Sequence, residues 1–119
     1  METINIKGKE YVMVHERIKE FRKLHKDGAI LTEMLSNQDG VCVFKAMVYV
    51  NDNVVATGHA YEKEGSSFIN KTSFIEVAET SAIGRALGVL GIGIDTSFAS
   101  ADEVANAMKN QSKGGNSIL

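Results

Sequence analysis

Residues 41–63 read VCVFKAMVYVNDNVVATGHAYEK, and this stretch decides the fold. Two runs rich in β-branched and aromatic residues, Val41–Val50 and Val54–Lys63, flank the turn-forming Asn51-Asp52-Asn53 and predict an antiparallel hairpin. If Val50 pairs with Val54 across a three-residue loop, the small and apolar side chains share one face: Cys42, Phe44, Ala46, Val48, Val50, Val54, Ala56, Gly58 and Ala60. A two-residue loop would pair the faces the wrong way round, so the three-residue loop is predicted.

The opposite face of the predicted hairpin mixes cationic and aromatic side chains, namely Lys45, Tyr49, His59, Tyr61 and Lys63. Proteins that bind single strands use this combination, because cations follow the phosphates and aromatic rings stack on the bases. The same face carries Val41, Val43, Met47 and Val55, which equally suit packing under a helix or a protein partner. The pattern alone leaves both interpretations open.

Further strands and helices are predicted on both sides of the hairpin. Residues 3–14 predict short strands with a turn at Gly8, and Ala29–Leu35 predicts a third strand beside the hairpin. Apolar residues at helical spacing predict helices at about 14–26, 74–90 and 101–110, with Ser73 and Ser100 as N-caps of the last two. The fold class is therefore α+β with a curled antiparallel sheet. Residues 1–110 form one predicted domain and residues 111–119 a flexible tail.

The predicted helix at 74–90 has a row of small residues. Ala78, Ala82 and Ala86 recur every four residues, which lets the helix backbone lie close on a sheet. Gly84 and Gly88 each weaken a helix by about 1 kcal/mol relative to alanine. We therefore expect close packing at these glycines.

Composition and charge exclude several classes of protein. The 119 residues are 44% apolar, which is enough for one domain with its own core and rules out a wholly disordered chain. The single cysteine, Cys42, forms no internal disulfide and suits a reducing cytoplasm. No apolar run approaches the ~18 residues of a membrane span, and the N-terminus lacks the pattern of a signal peptide. A net charge of −2 excludes a uniformly basic coat but not a local basic patch.

Residues 65–72, GSSFINKT, match the phosphate-binding loop pattern G-x-x-x-x-G-K-[ST] except that Asn70 replaces the second glycine. Lys71 and free N–H groups at a helix N-terminus suit a phosphate, including one in a DNA backbone. A capped loop with a solvated lysine explains the run equally well. The hairpins before it are not βαβ units, so a small NTPase stays only as an alternative.

No other chemistry is predicted. His15, His25 and His59 lack metal-ligand spacing, and no nucleophile signature is present. We therefore expect no enzyme activity, no metal and no cofactor. The basic stripe on the first helix is interpreted as a solvated face: Lys19, Arg22, Lys23 and Lys26.

Residues 58–72 (GHAYEKEGSSFINKT) and residues 79–88 (ETSAIGRALG), continuing into GIGID at 91–95, resemble small early proteins from phages of Gram-positive bacteria. The nearest resemblance, over about residues 5–107, is to the single-stranded DNA-binding proteins of lactococcal phages. It implies a variant of the OB-fold that binds single-stranded DNA during phage replication and recombination in the host cytoplasm. It also implies a phage annealing protein or a host recombinase as a partner, and points by position to His59, Tyr61, Lys63, Phe68, Lys71 and Arg85.

The predicted function is therefore sequence-independent binding of single-stranded DNA. The predicted site consists of Lys45, Tyr49, His59, Tyr61, Lys63, Phe68, Lys71 and Arg85. In this prediction the lysines and Arg85 hold phosphates, while Tyr49, Tyr61 and Phe68 stack bases. A homodimer is expected because a modest binding surface gains from avidity. Bacterial single-strand binders typically end in an acidic tip, which the tail SKGGNSIL lacks, so recruitment of partners through the tail is not expected.

Residues 78–90 also resemble the essential-recombination-function family of phage annealing proteins. That resemblance implies a helix–βββ–helix unit and strand annealing, which form the alternative for both fold and function. A protein-binding adaptor that docks through the mixed hairpin face is the remaining alternative.

Overall fold

The computed structural model describes residues 1–93 and 99–114. The chain forms β1 (Thr3–Ile6), β2 (Lys9–Val12), α1 (Val14–Leu24), β3 (Ala29–Gln38), β4 (Val41–Val50), β5 (Asn53–Lys63), α2 (Asn70–Val89) and α3 (Ala101–Gly114). Strands β1 and β2 form a two-stranded sheet, and β3, β4 and β5 form a three-stranded antiparallel sheet in that order. The α+β class is confirmed, and the sheet is compatible with a curled, OB-like sheet. The order α1–β3–β4–β5–α2 is the helix–βββ–helix order of the alternative.

The predicted faces of the β4–β5 hairpin are confirmed from Ala56 to Lys63, but the predicted loop and the predicted place of Val54 on the apolar face are wrong. Pairs such as Ala46 with Gly58 and Val48 with Ala56 form as predicted. Val50, however, pairs with Asn53 across a two-residue turn, Asn51-Asp52, in which both φ angles are positive (53° and 64°). Two positive φ angles match the twist of antiparallel strands and suit Asn and Asp. A β-bulge then leaves Val55 unpaired and restores the predicted faces from Ala56 onward, whereas Val54 pairs with Tyr49 and is exposed.

The β3–β4 hairpin is longer than predicted. Strand β3 continues past Leu35 to Gln38, and the turn is only Asp39-Gly40, with φ angles of 54° and 76°. Asp-Gly is a strong signal for a two-residue turn. A register shift between Met34 and Ser36 marks a second bulge. The predicted turn at Gly8 is confirmed between β1 and β2.

The core lies between α2 and one face of the three-stranded sheet. Strand β4 alternates between buried and half-buried residues, and its core side chains meet the predicted alanine row of α2: Cys42, Phe44, Ala46, Val48, Ala78, Ala82 and Ala86. At Gly58 the helix backbone comes so close that an added Cβ would lie 2.5 Å from the amide nitrogen of Ala86. Gly84 is similarly tight against Val14 of α1, at 2.8 Å. The predicted close approach of α2 to the sheet is confirmed at Gly58, and the close packing predicted for Gly84 is confirmed against α1. Gly88 is buried.

The predicted start of α2 at Ser73 is wrong. The helix begins at Asn70, and Ser73 lies inside it with non-helical angles (φ −133°, ψ 24°) that mark a kink. The N–H of Ser73 still donates to the carbonyl of Ile69 at 2.9 Å, so the helix continues through the kink. The helix starts early because the buried Asn70 fixes the preceding turn through its side-chain bonds.

The predicted N-cap of α3 is confirmed, since Ser100 Oγ accepts the N–H of Glu103 at 3.2 Å. The helix runs to Gly114 instead of ending at 110, so the first part of the predicted tail is helical. Residues 115–119 of that tail, and Ile94 and Asp95 of the GIGID run, lie outside the described residues. Helix α1 begins at Val14 and ends at Leu24. Its N-terminus is capped from α3, because Asp102 Oδ1 accepts the N–H of Val14 at 2.9 Å. No helix in residues 1–93 and 99–114 is long and apolar enough to span a membrane.

Candidate nucleic-acid interface

The sheet face opposite α2 carries five of the eight predicted site residues, and we call it the open face: Lys45, Tyr49, His59, Tyr61 and Lys63. The register places Lys45 directly beside His59. His59, Tyr61 and Lys63 alternate along the exposed side of β5. The Tyr61 side chain is 64% exposed, so its ring is available to a ligand. Cationic and aromatic groups are therefore neighbours on one surface, as the sequence predicts.

The open face is also partly apolar. Val41, Val43 and Met47 on β4 are half-buried between their neighbouring strands. Leu31 of β3, which pairs with Met47, is 52% exposed. These side chains give a ligand apolar contact area between the cations, and they leave docking of a protein partner as the competing use of the surface.

The lysines of the predicted site keep their charges unneutralised. In the part of the chain that the structure describes, Lys45, Lys63 and Lys71 form no ion pair. Glu33 of β3 pairs in register with Lys45, which lowers the positive potential at that end of the face. At the other end of the face, Lys63 is followed in the chain by the exposed Glu64, so a carboxylate lies near each end.

The loop after β5, residues 64–69, presents a second aromatic group. Phe68 is 79% exposed, which is unusual for a phenylalanine. The Lys71 Nζ lies 5.8 Å from the centre of the Phe68 ring, within the range of a cation–π contact. Tyr61, Lys63, Phe68 and Lys71 thus follow one another along the chain as exposed aromatic and cationic groups.

The N–H groups at the start of α2 are not free for a phosphate, contrary to the prediction. The N–H of Asn70 donates to Ser67 Oγ at 3.3 Å, and the N–H of Lys71 donates to the carbonyl of Phe68 at 3.3 Å. The N–H of Thr72 is held by Ile69 in the same way, at 3.4 Å. The start of α2 is therefore capped internally, and at this helix end the Lys71 ammonium carries the predicted contact with phosphate.

The structure does not bring Arg85 together with the open face. Arg85 lies on α2, and its Cβ would lie 3.0 Å from a Cβ added at Gly58, on the covered side of the sheet. Its Nη2 forms an ion pair of 3.0 Å with Glu103 Oε2 of α3. Burial raises the pKa of the Glu103 carboxyl, while the charge of Arg85 acts in the opposite direction. Arg85 therefore connects α2 to α3.

The basic stripe of α1 is partly neutralised, as expected for a solvated face. Lys19 pairs with Glu16 at 3.3 Å, and Lys23 with Glu20 at 3.9 Å. Within the described residues, the exposed side chains of Arg22 and Lys26 form no ion pair.

Two groups of polar residues escape sequence analysis. Arg17 of α1 is fully buried and donates from Nη1 to the carbonyl of Gly84 at 2.8 Å, and burial lowers its pKa. Asn106 of α3 is buried beside Glu62 and Ser67, at the base of the loop that carries Phe68. The partners are dozens of residues apart in the chain, so no local pattern could have indicated either contact.

An apolar groove of about 530 Å³ lies beside the same loop, between the β1–β2 sheet, α2 and α3. Ile4, Ile6, Met13, Ile69 and Val77 supply most of its apolar lining. Within the described residues, no group of three or more His, Cys, Asp or Glu side chains is placed to hold a metal ion, in this groove or outside it.

The chain matches one family model, described as Slr1353 N-terminal dsRNA-binding domain-like, over residues 18–90. This span covers more than half of the chain and includes most of α1, the three-stranded sheet and α2. No curated protein and no solved structure matches the chain. The comparisons therefore add nothing to the resemblance to phage single-strand binders, and they indicate a domain of nucleic-acid-binding type.

Proposed function

This chain belongs to the Slr1353 N-terminal dsRNA-binding domain-like family, and from that premise we propose that it binds nucleic acid. We propose further that its preferred ligand is single-stranded DNA, bound without sequence specificity on the open face. The observation that carries this proposal is the Tyr61 ring, 64% exposed and flanked on the same face by His59 and Lys63.

Exposed rings favour a single strand over a duplex as the ligand. In a duplex the bases stack on one another, and proteins that recognise duplex RNA contact mainly phosphates and 2′-hydroxyls. In a single strand each base offers a free face, and stacking on an aromatic side chain contributes about 1–3 kcal/mol per base. Among the described residues, Tyr61 and Phe68 are exposed rings suited to this role. The half-buried Tyr49 lies on the same face as Tyr61, six residues along β4 from Val43, the partner of Tyr61.

The cations set the expected salt dependence. Lys45, Lys63 and Lys71 carry charges without ion pairs in the described part of the chain, whereas Arg85 is paired with Glu103. Three phosphate contacts give a slope of about −2 in a plot of log affinity against log salt, at about −0.7 per contact for single strands. A fourth phosphate contact, made by Arg85, would make the slope steeper, at about −3.

The phage resemblance supports a biological setting for this activity. We propose that the protein coats single-stranded DNA in the host cytoplasm during phage replication and recombination, and that it acts beside an annealing protein or a recombinase. Its role is binding without catalysis, and a homodimer would join two open faces on one strand.

Two observations favour related activities as second candidates. The family description favours binding of duplex RNA, as do Arg22 at the end of α1 and Lys26 just after it, which form no ion pair within the described residues. The helix–βββ–helix order of elements favours strand annealing. Annealing requires single-strand binding first, so faster duplex formation from complementary strands would extend the proposal instead of replacing it.

Fluorescence anisotropy with a labelled oligo-dT of about 30 nucleotides distinguishes binding on the open face from binding on the basic stripe of α1. We expect Tyr61→Ala to weaken binding about 5- to 100-fold, because one stacking contact is lost. Lys63→Ala should weaken binding and reduce the salt slope by about 0.7. The matched charge variant Lys26→Ala, two residues after the end of α1, should leave affinity unchanged. Duplex RNA as the tighter ligand, with sensitivity to Lys26 and none to Tyr61, would overturn the proposal in favour of duplex binding.

A further inference from the structure

We propose that Asn106 of α3 is a positioning residue for nucleic-acid binding: it holds the loop that presents Phe68. The inference rests on the proposed function and extends it to a helix that carries none of the predicted contact residues. It is drawn from one buried network of polar side chains at the base of the loop.

The network joins α3 to both sides of the loop. Glu62 Oε1, at the end of β5, accepts hydrogen bonds from the side-chain amides of Asn70 at 2.7 Å and Asn106 at 3.0 Å. Ser67 Oγ donates to Asn106 Oδ1 at 3.2 Å and accepts the backbone N–H of Asn70. Asn106 thus connects the strand before the loop to the loop itself, and Asn70 connects both of them to α2.

Further bonds hold the backbone on either side of Phe68. Asn70 Nδ2 donates to Ser66 Oγ at 2.8 Å, and that hydroxyl donates to the carbonyl of Lys63 at 2.7 Å. The N–H of Glu64 donates to the carbonyl of Gly40 at 2.7 Å, which ties the loop to the β3–β4 turn. A loop held at so many points keeps a single geometry.

Burial and exposure alternate sharply within this loop. Ser67 and Asn70 are fully buried and Asn106 is 8% exposed, whereas Phe68 between them is 79% exposed. The core therefore gains little from the Phe68 ring, although the backbone beneath it is tightly held. Such an arrangement lowers the entropy cost of binding a ligand, because the stacking group is already in place.

Asn70 indicates that loop geometry, and not stability alone, determines this network. Its Oδ1 is buried and has no hydrogen-bond partner within the described residues. A buried acceptor left unpaired is destabilising, so a side chain of this kind calls for a compensating role. Its Nδ2 supplies that role through the bonds to Glu62 and Ser66.

A double-mutant cycle on binding to labelled oligo-dT tests the inference. We expect Asn106→Ala to weaken binding about three- to ten-fold, the effect of releasing an ordered aromatic side chain. Phe68→Ala should weaken it about 5- to 100-fold. In the Phe68→Ala background, Asn106→Ala should change affinity less than about two-fold, because its effect acts through the ring.

The matched control is Asp102→Ala, which removes another α3 contact, the bond to the N–H of Val14, without touching the loop. It should lower thermal stability and leave affinity unchanged. If Asn106→Ala does not fold, Ser67→Ala replaces it in the cycle, since it removes the partner of Asn106 Oδ1.

Independent, multiplying effects of Asn106→Ala and Phe68→Ala would overturn the positioning role and leave the proposed function standing. The positioning role would also be overturned, with the proposed function still standing, if Asn106→Ala lowered thermal stability and left the affinity for oligo-dT unchanged. Failure of the wild-type protein to bind any oligonucleotide would overturn both.

Discussion

Replacement of Gly58 by alanine tests how closely α2 rests on the sheet. An added Cβ would lie 2.5 Å from the amide nitrogen of Ala86 and 2.6 Å from the carbonyl oxygen of Ala82. Both atoms belong to the helix backbone, which cannot rotate away as a side chain can. To reach an ordinary contact of 3.4 Å, α2 must retreat from β5 by about 0.9 Å at this point. Overpacking of this kind costs about 1–3 kcal/mol, and the rigid backbone places the expected loss near the upper end.

Urea denaturation followed by circular dichroism measures this loss. We expect Gly58→Ala to lower the free energy of unfolding by about 2–3 kcal/mol with an unchanged m-value. Gly84→Ala is the matched control, because its Cβ would meet a methyl group of Val14 at 2.8 Å and alanine favours a helix by about 1 kcal/mol. The control should therefore lose less stability. A Gly58→Ala variant within about 0.5 kcal/mol of wild type would refute this account of the packing.

Three further predictions concern the core and α3. Burial raises the pKa of the fully buried Cys42 thiol above its usual 9.0, so a thiol reagent such as DTNB should label the native protein far more slowly than the urea-unfolded chain. Ser100→Ala should cost about 1 kcal/mol in urea denaturation, because it removes the N-cap bond to Glu103. Burial also raises the pKa of Glu103 above its usual 4.5, so the folded state holds this proton more tightly than the unfolded chain does. The stability that this proton contributes is fully present below pH 4.5 and is lost as pH rises through the raised pKa of Glu103. Urea denaturation at several pH values should therefore show the wild type losing stability relative to Glu103→Gln as pH rises from 4.5 through that pKa.

The faces of the β4–β5 hairpin could be predicted because strand periodicity depends only on alternation. The turn could not, since a three-residue loop and a two-residue turn with a bulge at Val55 put the same side chains on the same face from Ala56 onward and differ only next to the turn, at Val54. Alternation cannot distinguish the two arrangements. Only the preference of Asn51 and Asp52 for positive φ angles favours the shorter turn.

Positions set by tertiary contacts could not be predicted from local signals. The Ser100–Glu103 pattern marks a true N-cap, whereas the identical pattern at Ser73–Glu76 lies inside a helix that starts earlier. The difference arises from the buried Asn70, whose partners include Glu62 on another element.

The candidate site was predictable as far as it lies on β4, β5 and the following loop. Arg85 enters the predicted site only through the phage resemblance, and a sequence does not show which side of a sheet a later helix covers. The structure places it on the covered side and pairs it with Glu103. Asn106 carries no motif, and its contact with Ser67 spans 39 residues of chain.

The central claim is that the open face binds single-stranded nucleic acid. The most direct measurement is competition against the wild-type protein bound to a labelled oligo-dT of about 30 nucleotides, at two salt concentrations. Unlabelled oligo-dT should displace the probe, equal amounts of DNA duplex and RNA duplex should not, and the salt slope should be about −2. Displacement by RNA duplex as effective as that by oligo-dT, or binding that does not change with salt, would contradict the account.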